Sequence, residues 1–477
     1  VTTLATLDDA KVSRLHWKIM FVSGMGFFTD AYDLFIIGIV VALLKTEWHL
    51  STPQQSLINS VTLAASAVGA IVFGRVADIL GRKRIYGYEV LVLAIGALAS
   101  AFSPNFTFLL VCRIILGIGI GGDYPVSATI MSEYAGKSSR GAMVGLVFAM
   151  QGVGLVVGPL VASGLLASGL SNDTIWRILL ALGAIPGMAV FWLRRHIQET
   201  PRFALAEGSH DEASAAIAAA TGASVPAQRG SARPSAPPPV PPVTKQNALS
   251  GFLVLLRNRR LLIWLIGTAG TWMLLDFAYY GNSISSPEIL KLLDPHASLL
   301  RNTLLQLAVF GVFALPGYVV AIWLIDRTGR KSIQMIGFAM MGIAFLLIGL
   351  IPGATTNALP FVLLYGLSYF FTEFGPNTTT FVYPAEIFPV EVRTTGHGIS
   401  AAAGKIGAFV GAYMFPYLLN LSTGIRGAEI IAGCVSFAGL LLTIVTLPEP
   451  NGKSLEELTE VAYSAPSAPP SDELERV

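Results

Sequence analysis

Apolar runs long enough to cross a membrane recur from one end of this chain to the other, and a soluble core could not bury so many of them. Twelve are legible, near 17–44, 53–80, 84–103, 106–134, 139–168, 172–195, 260–290, 300–326, 331–352, 357–387, 394–420 and 425–447. As helices they match a hydrocarbon core about 30 Å thick, which takes about 20 residues to cross. Lipid offers the backbone no hydrogen-bond partner, so each run satisfies its own as a helix. Only 13% of the 477 residues are charged, against about 25% in an ordinary soluble domain. The expected class is an all-α membrane protein with no large soluble domain.

The polar residues between the runs set the organisation. Residues 1–16 form a polar tail without the short apolar region and cleavage site of a signal peptide. Residues 17–195 and 260–447 each hold six runs, and 448–477 form a second tail. The 196–259 stretch contains the proline-rich "SARPSAPPPVPP", Ser231 to Pro242, a composition that builds no core. It reads as a partly disordered linker. "LSGFLVLLRNRRLL", Leu249 to Leu262, suits a short helix lying on the membrane surface. Clusters such as Arg82, Lys83 and Arg84, Arg194 and Arg195, or Arg330 and Lys331 fall at one set of run ends, while the other ends carry little beyond Lys45, Arg177, Lys291, Arg301 and Arg426. By the positive-inside rule both tails and the linker are cytoplasmic. Net charge is +2 and basic residues sit in these short clusters, so membrane lipid and not nucleic acid is the expected surroundings. Cys112 and Cys434 lie inside apolar runs, which suggests neither disulfides nor a metal cluster, and no cofactor motif is present. "NFT" (Asn105 to Thr107) and "NDT" (Asn172 to Thr174) would be outward-facing glycosylation acceptors in a secretory route.

The two halves repeat. "DILGRKR", Asp78 to Arg84, after run two matches "DRTGRKS", Asp326 to Ser332, after run eight. Glu133 stands seven residues before Arg140, and Glu386 seven before Arg393. "ETPR" (Glu199 to Arg202) and "PEP" (Pro448 to Pro450) close runs six and twelve. Related halves around a linker are the sequence sign of alternating access, in which two bundles rock about a site near the midplane.

These twelve runs and paired loops resemble the major facilitator superfamily. Three strings narrow the likeness: "GGDYPVSATIMSEY" (Gly121 to Tyr134), "FFTDAYDLF" (Phe27 to Phe35) and "FGPNTTTFVYPAEIFP" (Phe374 to Pro389). They resemble the phosphate:proton symporter family, which includes fungal and plant inorganic phosphate transporters. The resemblance covers almost all of the chain except the linker and tails. It implies two six-helix bundles and a plasma-membrane importer of inorganic phosphate coupled to protons.

Deep polar residues are few, and each has a bland use beside the functional one. Trp272, Asp276 and Tyr280 fall at i, i+4 and i+8, one ladder down a helix face. The resemblance implies substrate contacts there; the alternative is a structural pair between Asp276 and a neighbouring cation. Tyr124, Gln151, Asn377 and Lys405 fall near mid-run. A tyrosine and two amides can donate to a polyoxyanion, and Lys405 adds charge without wholly neutralising it. The amides could equally be interhelical glue, and Lys405 a structural ion pair. In run four, Pro125 leaves the carbonyl of Gly121 without its helical partner. Gly117, Gly119, Gly121 and Gly122 permit close approach, which turns Asp123 and Tyr124 toward a cavity about 100° apart. Tyr124 is assigned to substrate. Asp123, with Asp30 and Asp33 one turn apart and Glu89 in run three, is assigned to proton movement, because paired or dry carboxyls hold protons near neutrality. Arg113 reads as structural or as tuning those acids. Asp78, Arg82, Glu133 and Arg140, with Asp326, Arg330, Glu386 and Arg393, are the expected gate residues, forming ion pairs between bundles. A transporter of an organic anion or sugar on the same scaffold, and a phosphate-binding receptor without net transport, are the alternatives. No nucleophile and base constellation or phosphate-cradling loop points to an enzyme.

Overall fold

The computed structural model describes residues 2–222, 249–293 and 296–464. Among the described residues, twelve helices are long and apolar enough to cross a membrane. Spans 1 to 6 are Arg14–Glu47, Thr52–Leu80, Arg82–Ala101, Phe106–Tyr134, Arg140–Ala167 and Asn172–Arg195. Spans 7 to 12 are Arg259–Ile284, Leu299–Thr328, Arg330–Leu350, Ala358–Ile387, Arg393–Leu419 and Gly424–Thr446. All twelve coincide with the apolar runs, and there is no strand among the described residues.

Where boundaries depart from expectation, a local cause is visible. Span 3 starts as a single turn, Arg82–Ile85, and resumes at Tyr88 after Gly87 at φ +107°. The run read as 260–290 is two helices, Arg259–Ile284 and Ser286–Leu293, turning at Ser285. Spans 8 and 10 each carry a widened π turn, Phe310–Ala314 and Glu373–Asn377. In span 10 the turn contains Gly375 and Pro376, and the missing proline N–H leaves the α ladder a gap that the wider turn absorbs. Of the linker, helices Pro201–Ala206, His210–Thr221 and Ser250–Arg257 are described, and the proline-rich Ser231 to Pro242 lies outside the described residues. The tail beyond span 12 contains a helix, Leu455–Tyr463, begun by a capping box of Ser454 and Glu457.

Each bundle packs its own six spans, with span 1 on 5, span 2 on 4 and span 3 on 6 in the first, and span 7 on 11, span 9 on 10 and span 9 on 12 in the second. Large exposed apolar residues cluster on the outer helices, including Ile95, Ile185, Trp192, Leu441 and Val445. In water such a surface would aggregate; in a bilayer it is the lipid face. The bundles meet along span 2 against span 11 and span 5 against span 8. At the first seam the backbones touch: a Cβ on Gly74 would come within 2.7 Å of the Thr394 carbonyl, and one on Gly398 within 2.4 Å of the Ala70 carbonyl. At the far end from the tails, a Cβ on Gly38 of span 1 would sit 2.3 Å from the Ile284 carbonyl of span 7. At these points the backbones of the two bundles are in direct contact.

Candidate functional site

Span 4 carries the first half of the site, and its glycines decide how close it comes. Cβ atoms on Gly117 and Gly121 would lie 2.3 and 1.9 Å from the Thr62 and Ser66 carbonyls of span 2, and one on Gly119 would strike span 3 at Leu93. The helix continues through Pro125 as one element. Its two neighbouring polar residues then diverge, as 100° per residue requires. Tyr124 faces the seam between bundles, edge-on to Phe27 and tilted on Trp272. Asp123 faces back into its own bundle.

At the seam the span 7 ladder meets span 11. The Lys405 ammonium donates to Asp276 Oδ2 at 3.2 Å and to the Tyr280 hydroxyl at 2.9 Å, and lies over the Tyr124 and Tyr280 rings at 4.5 and 4.4 Å. Trp272, Asp276, Tyr280, Tyr124 and Lys405 are all buried, and the Trp272 side chain also hydrogen-bonds the Asp276 carboxylate. The structural pairing weighed for Asp276 therefore exists, with Lys405, and both members lie at the bundle junction. Gln151 is buried with its amide oxygen unpartnered. Asn377 gives one N–H to the Tyr318 hydroxyl at 2.8 Å and the other to Glu373 at 2.5 Å. The Tyr318 ring packs on Gly152, the residue after Gln151.

Asp123 is held by Arg194, which donates to both carboxylate oxygens at 2.7 and 2.9 Å while its Nη1 also reaches Glu89 at 2.8 Å. Ser127 completes the shell at 2.5 Å, and the guanidinium stacks over Tyr86 at 4.6 Å. Gly26 is obligatory beside this pair, because a Cβ there would lie 1.8 Å from Asp123 Oδ2. Asp30 is buried within electrostatic range of Asp123 and Arg194, and neither of its oxygens has a hydrogen-bond partner. Asp33 faces elsewhere: its carboxylate is equally unpartnered, abuts Gly183 of span 6, and feels Arg113, whose Nη2 donates to the Asp33 carbonyl at 3.1 Å. Of the four acids assigned to proton movement, Asp123 and Glu89 bind Arg194, Asp33 lies beside Arg113, and Asp30 is within electrostatic range of Asp123, Arg194, Asp33 and Lys405.

The eight expected gate residues gather at the end that carries the tails, and the sequence repeat is visible as geometry. Arg82 pairs with Asp78 and Glu133 at 3.2 and 3.1 Å; Arg330 pairs with Asp326 and Glu386 at 2.8 and 2.8 Å. Glu199 of "ETPR" accepts from the Lys83 backbone N–H, and Glu449 of "PEP" from those of Arg330 and Lys331. Gly81 and Gly329 turn both loops at φ +94° and +88°, a conformation that suits glycine. Among the contacts that cross between bundles at this end, three are made by the expected gate acids. Arg393 donates to Glu133 at 2.9 Å. Asp78 accepts from the backbone of Thr394 and Thr395 at the start of span 11, and Asp326 from that of Gly141 and Ala142 at the start of span 5. The symmetry fails at Arg140, which donates to Asp8 and to the Lys453 carbonyl.

Sequence reasoning missed four participants. Arg194 counted only as an interfacial charge, Glu373 and Tyr318 lay unremarked inside apolar runs, and Arg202 closed a short motif. Arg202 binds Asp8 at 2.7 Å and Glu456 of the tail helix at 2.8 Å, tying tail, linker and gate together. The invisible signal was burial: Arg194 is fully buried, while Arg195 beside it is not.

Two six-span bundles meeting at a buried polar junction define a secondary-transporter fold. Solved structures agree on that fold: the proton:xylose symporter XylE of the major facilitator superfamily, bound to 6-bromo-6-deoxy-D-glucose, superposes with a TM-score of 0.77 at 22% identity, covering 95% of this chain and 100% of that one. A partially occluded, inward-open XylE from E. coli gives 0.70 at 22% identity, covering 93% and 100%. Residues 18–462 match the family described as Sugar (and other) transporter. A low affinity inorganic phosphate transporter 1 of Petunia hybrida is 37% identical over 96% of this chain and 95% of its own length. Inorganic phosphate transporter 1-6 of Oryza sativa subsp. japonica is 37% identical over 98% and 96%, and a probable inorganic phosphate transporter 1-6 of Arabidopsis thaliana is 36% identical over 96% of both. The chain belongs to the sugar (and other) transporter family of the major facilitator superfamily, and is a multi-pass membrane protein.

Proposed function

We propose that this protein imports inorganic phosphate together with protons across the plasma membrane by alternating access, with both tails and the linker in the cytoplasm. The observation that carries the substrate is the buried Lys405–Asp276 pair at the bundle junction, flanked by the Tyr124 and Tyr280 hydroxyls. The near full-length likeness to phosphate transporters of plants supports the same reading. The pair is neutral overall, so an arriving anion adds its own charge and is attracted by Lys405 without being trapped. Dihydrogen phosphate carries O–H donors as well as acceptor oxygens, and the Asp276 carboxylate is the acceptor that matches them. Trp272, Gln151 and Asn377 complete the proposed contacts.

Protons take the Asp30, Asp123 and Glu89 cluster, with Asp33 apart from it. Arg194 can neutralise one carboxylate of that cluster, and a second buried charge is costly without a cation, so protons compensate the remainder. Asp123 precedes Tyr124 in the chain, which connects its protonation to the substrate face through one helix. Rearranging the Arg194 bridge then shifts span 4 at the seam. Coupling to protons offsets the work of moving a net negative charge inward, about 2.3 kcal/mol per charge per 100 mV. The Asp78, Arg393–Glu133 and Asp326 contacts hold the cytoplasmic end closed until the bundles rock.

Labelled phosphate uptake into sealed proteoliposomes tests this reading. An acidic exterior should accelerate accumulation several-fold, and dissipating the gradient should abolish it. Uptake of a sugar or organic anion in place of phosphate would establish the scaffold's other use, and phosphate binding without uptake would establish a receptor.

A further inference from the structure

Glu373 lies on the π turn of span 10, in the second bundle, where no proton-carrying role has been assigned. It is fully buried, and no ion pair among the described residues includes it. One oxygen accepts from Asn377, and the Tyr318 and Tyr279 side chains also hydrogen-bond the carboxylate. Span 7 presents Tyr279 and, farther off, Asp276 to this carboxylate, and span 8 presents Tyr318. Span 9 meets the turn with the backbone of Gly337 and Ile333. An uncompensated carboxylate in such a place alternates between an ionised form, held by neighbouring donors, and a neutral form that carries its own donor.

Asn377 is the group that feels the difference. Both of its amide hydrogens are committed, to Glu373 and to Tyr318, so the amide has no N–H to offer an anion as it stands. An ionised carboxylate can only accept, and it fixes the amide with nitrogen inward. A protonated carboxyl can donate to the amide oxygen, and a half-turn about the terminal torsion then presents the NH₂ group outward.

We propose that Glu373 is a proton-binding positioning residue that sets which end of the Asn377 amide faces the substrate, so that a proton taken up at span 10 makes the site an anion donor. The inference rests on the reading of Asn377 as a phosphate contact. By linkage, the anion in turn promotes proton uptake at Glu373. The chain would then carry a proton site in each bundle, one beside Arg194 and one beside Asn377.

Binding of inorganic phosphate to the purified full-length protein in nanodiscs, measured across pH 5 to 9, tests the proposal. In the unaltered protein, affinity should fall as pH rises, with Glu373 contributing about tenfold per pH unit above its titration. Glu373→Gln replaces the carboxyl by an isosteric donor to the amide oxygen, so it should retain the low-pH affinity and lose that tenfold component. Asn377→Ala should lose the same component, and adding Glu373→Gln to it should change nothing further. The titration of phosphate itself is common to every variant and cancels in the comparison. If Glu373→Gln or Asn377→Ala keeps the full pH slope, the proposal fails while phosphate remains the substrate. If the unaltered protein binds no phosphate, the substrate reading fails and takes this inference with it.

Discussion

At the scale of single residues, the Lys405–Asp276 pair has two separable properties. Removing one member leaves a buried charge without its partner, which costs about 3–5 kcal/mol, whereas replacing both by neutral groups of similar volume is close to neutral. Lys405→Met should therefore lower the thermal unfolding midpoint, and Asp276→Asn added to it should restore most of the loss. Phosphate uptake should be absent from both variants. Recovery of uptake with stability would show that the pair holds the helices together and does not bind substrate. The proposed selectivity rests on an acceptor oxygen of Asp276. Arsenate carries the protons that this oxygen accepts, while sulfate is fully deprotonated near neutral pH and brings only oxygens. Arsenate should compete with phosphate and sulfate should not, by a factor of roughly 10⁴ where such a site demands a ligand proton. Equal inhibition by excess sulfate would remove that role from Asp276.

Among the elements, the proposed gate rests chiefly on helix ends. Asp78 and Asp326 each cap the first turn of a helix in the opposite bundle, where unsatisfied N–H groups and the helix dipole favour a carboxylate. Each cap is worth about 1–2 kcal/mol, a factor of about 5–30 in the closed-to-open ratio. Ser132 reports on this, because its hydroxyl donates across the seam to the Ala385 carbonyl at 2.7 Å. With Cys112 and Cys434 replaced by serine, a cysteine introduced by Ser132→Cys should react faster with a thiol reagent by that factor in Asp78→Ala or Asp326→Ala. The two should multiply when combined. Unchanged labelling would mean the caps do not hold the closed state. These residues were legible in the sequence because the repeat printed them twice, each with an arginine four positions on. Arg194 and Glu373 were not legible. A buried and an exposed arginine share one letter, and only the rotation of span 6 separates Arg194 from Arg195. Glu373 sits on a turn whose π geometry breaks the period by which a helix face is read. The ladder of Trp272, Asp276 and Tyr280 was readable because span 7 is regular throughout.

For the molecule as a whole, the tails and linker act with the bundles. Arg202 joins Asp8 and Glu456, and so closes a loop of contacts through both halves. Burial pushes the Glu456 carboxyl up, but Arg202 beside it overrides this and holds it at about 2. Its value is depressed on folding, so its contribution is complete above the ordinary glutamate range near 4.3 and is lost only as pH falls toward 2. Between pH 5 and 8 this contact does not titrate. Glu456→Gln should change the uptake rate by one factor at every pH in that window, leaving the shape of the profile intact. A profile that shifts along the pH axis would place Glu456 among the coupling groups.

The touching backbones of Gly74 and Gly398 have a mechanical consequence. Side chains that interlock must climb over one another to part, and a seam of knobs and holes would resist rocking along its whole length. Spans 2 and 11 instead meet there as smooth surfaces, like the faces of a plain bearing. In the proposed rocking such a joint offers no side chains to unlock, so the work of opening falls on the polar contacts at its rim.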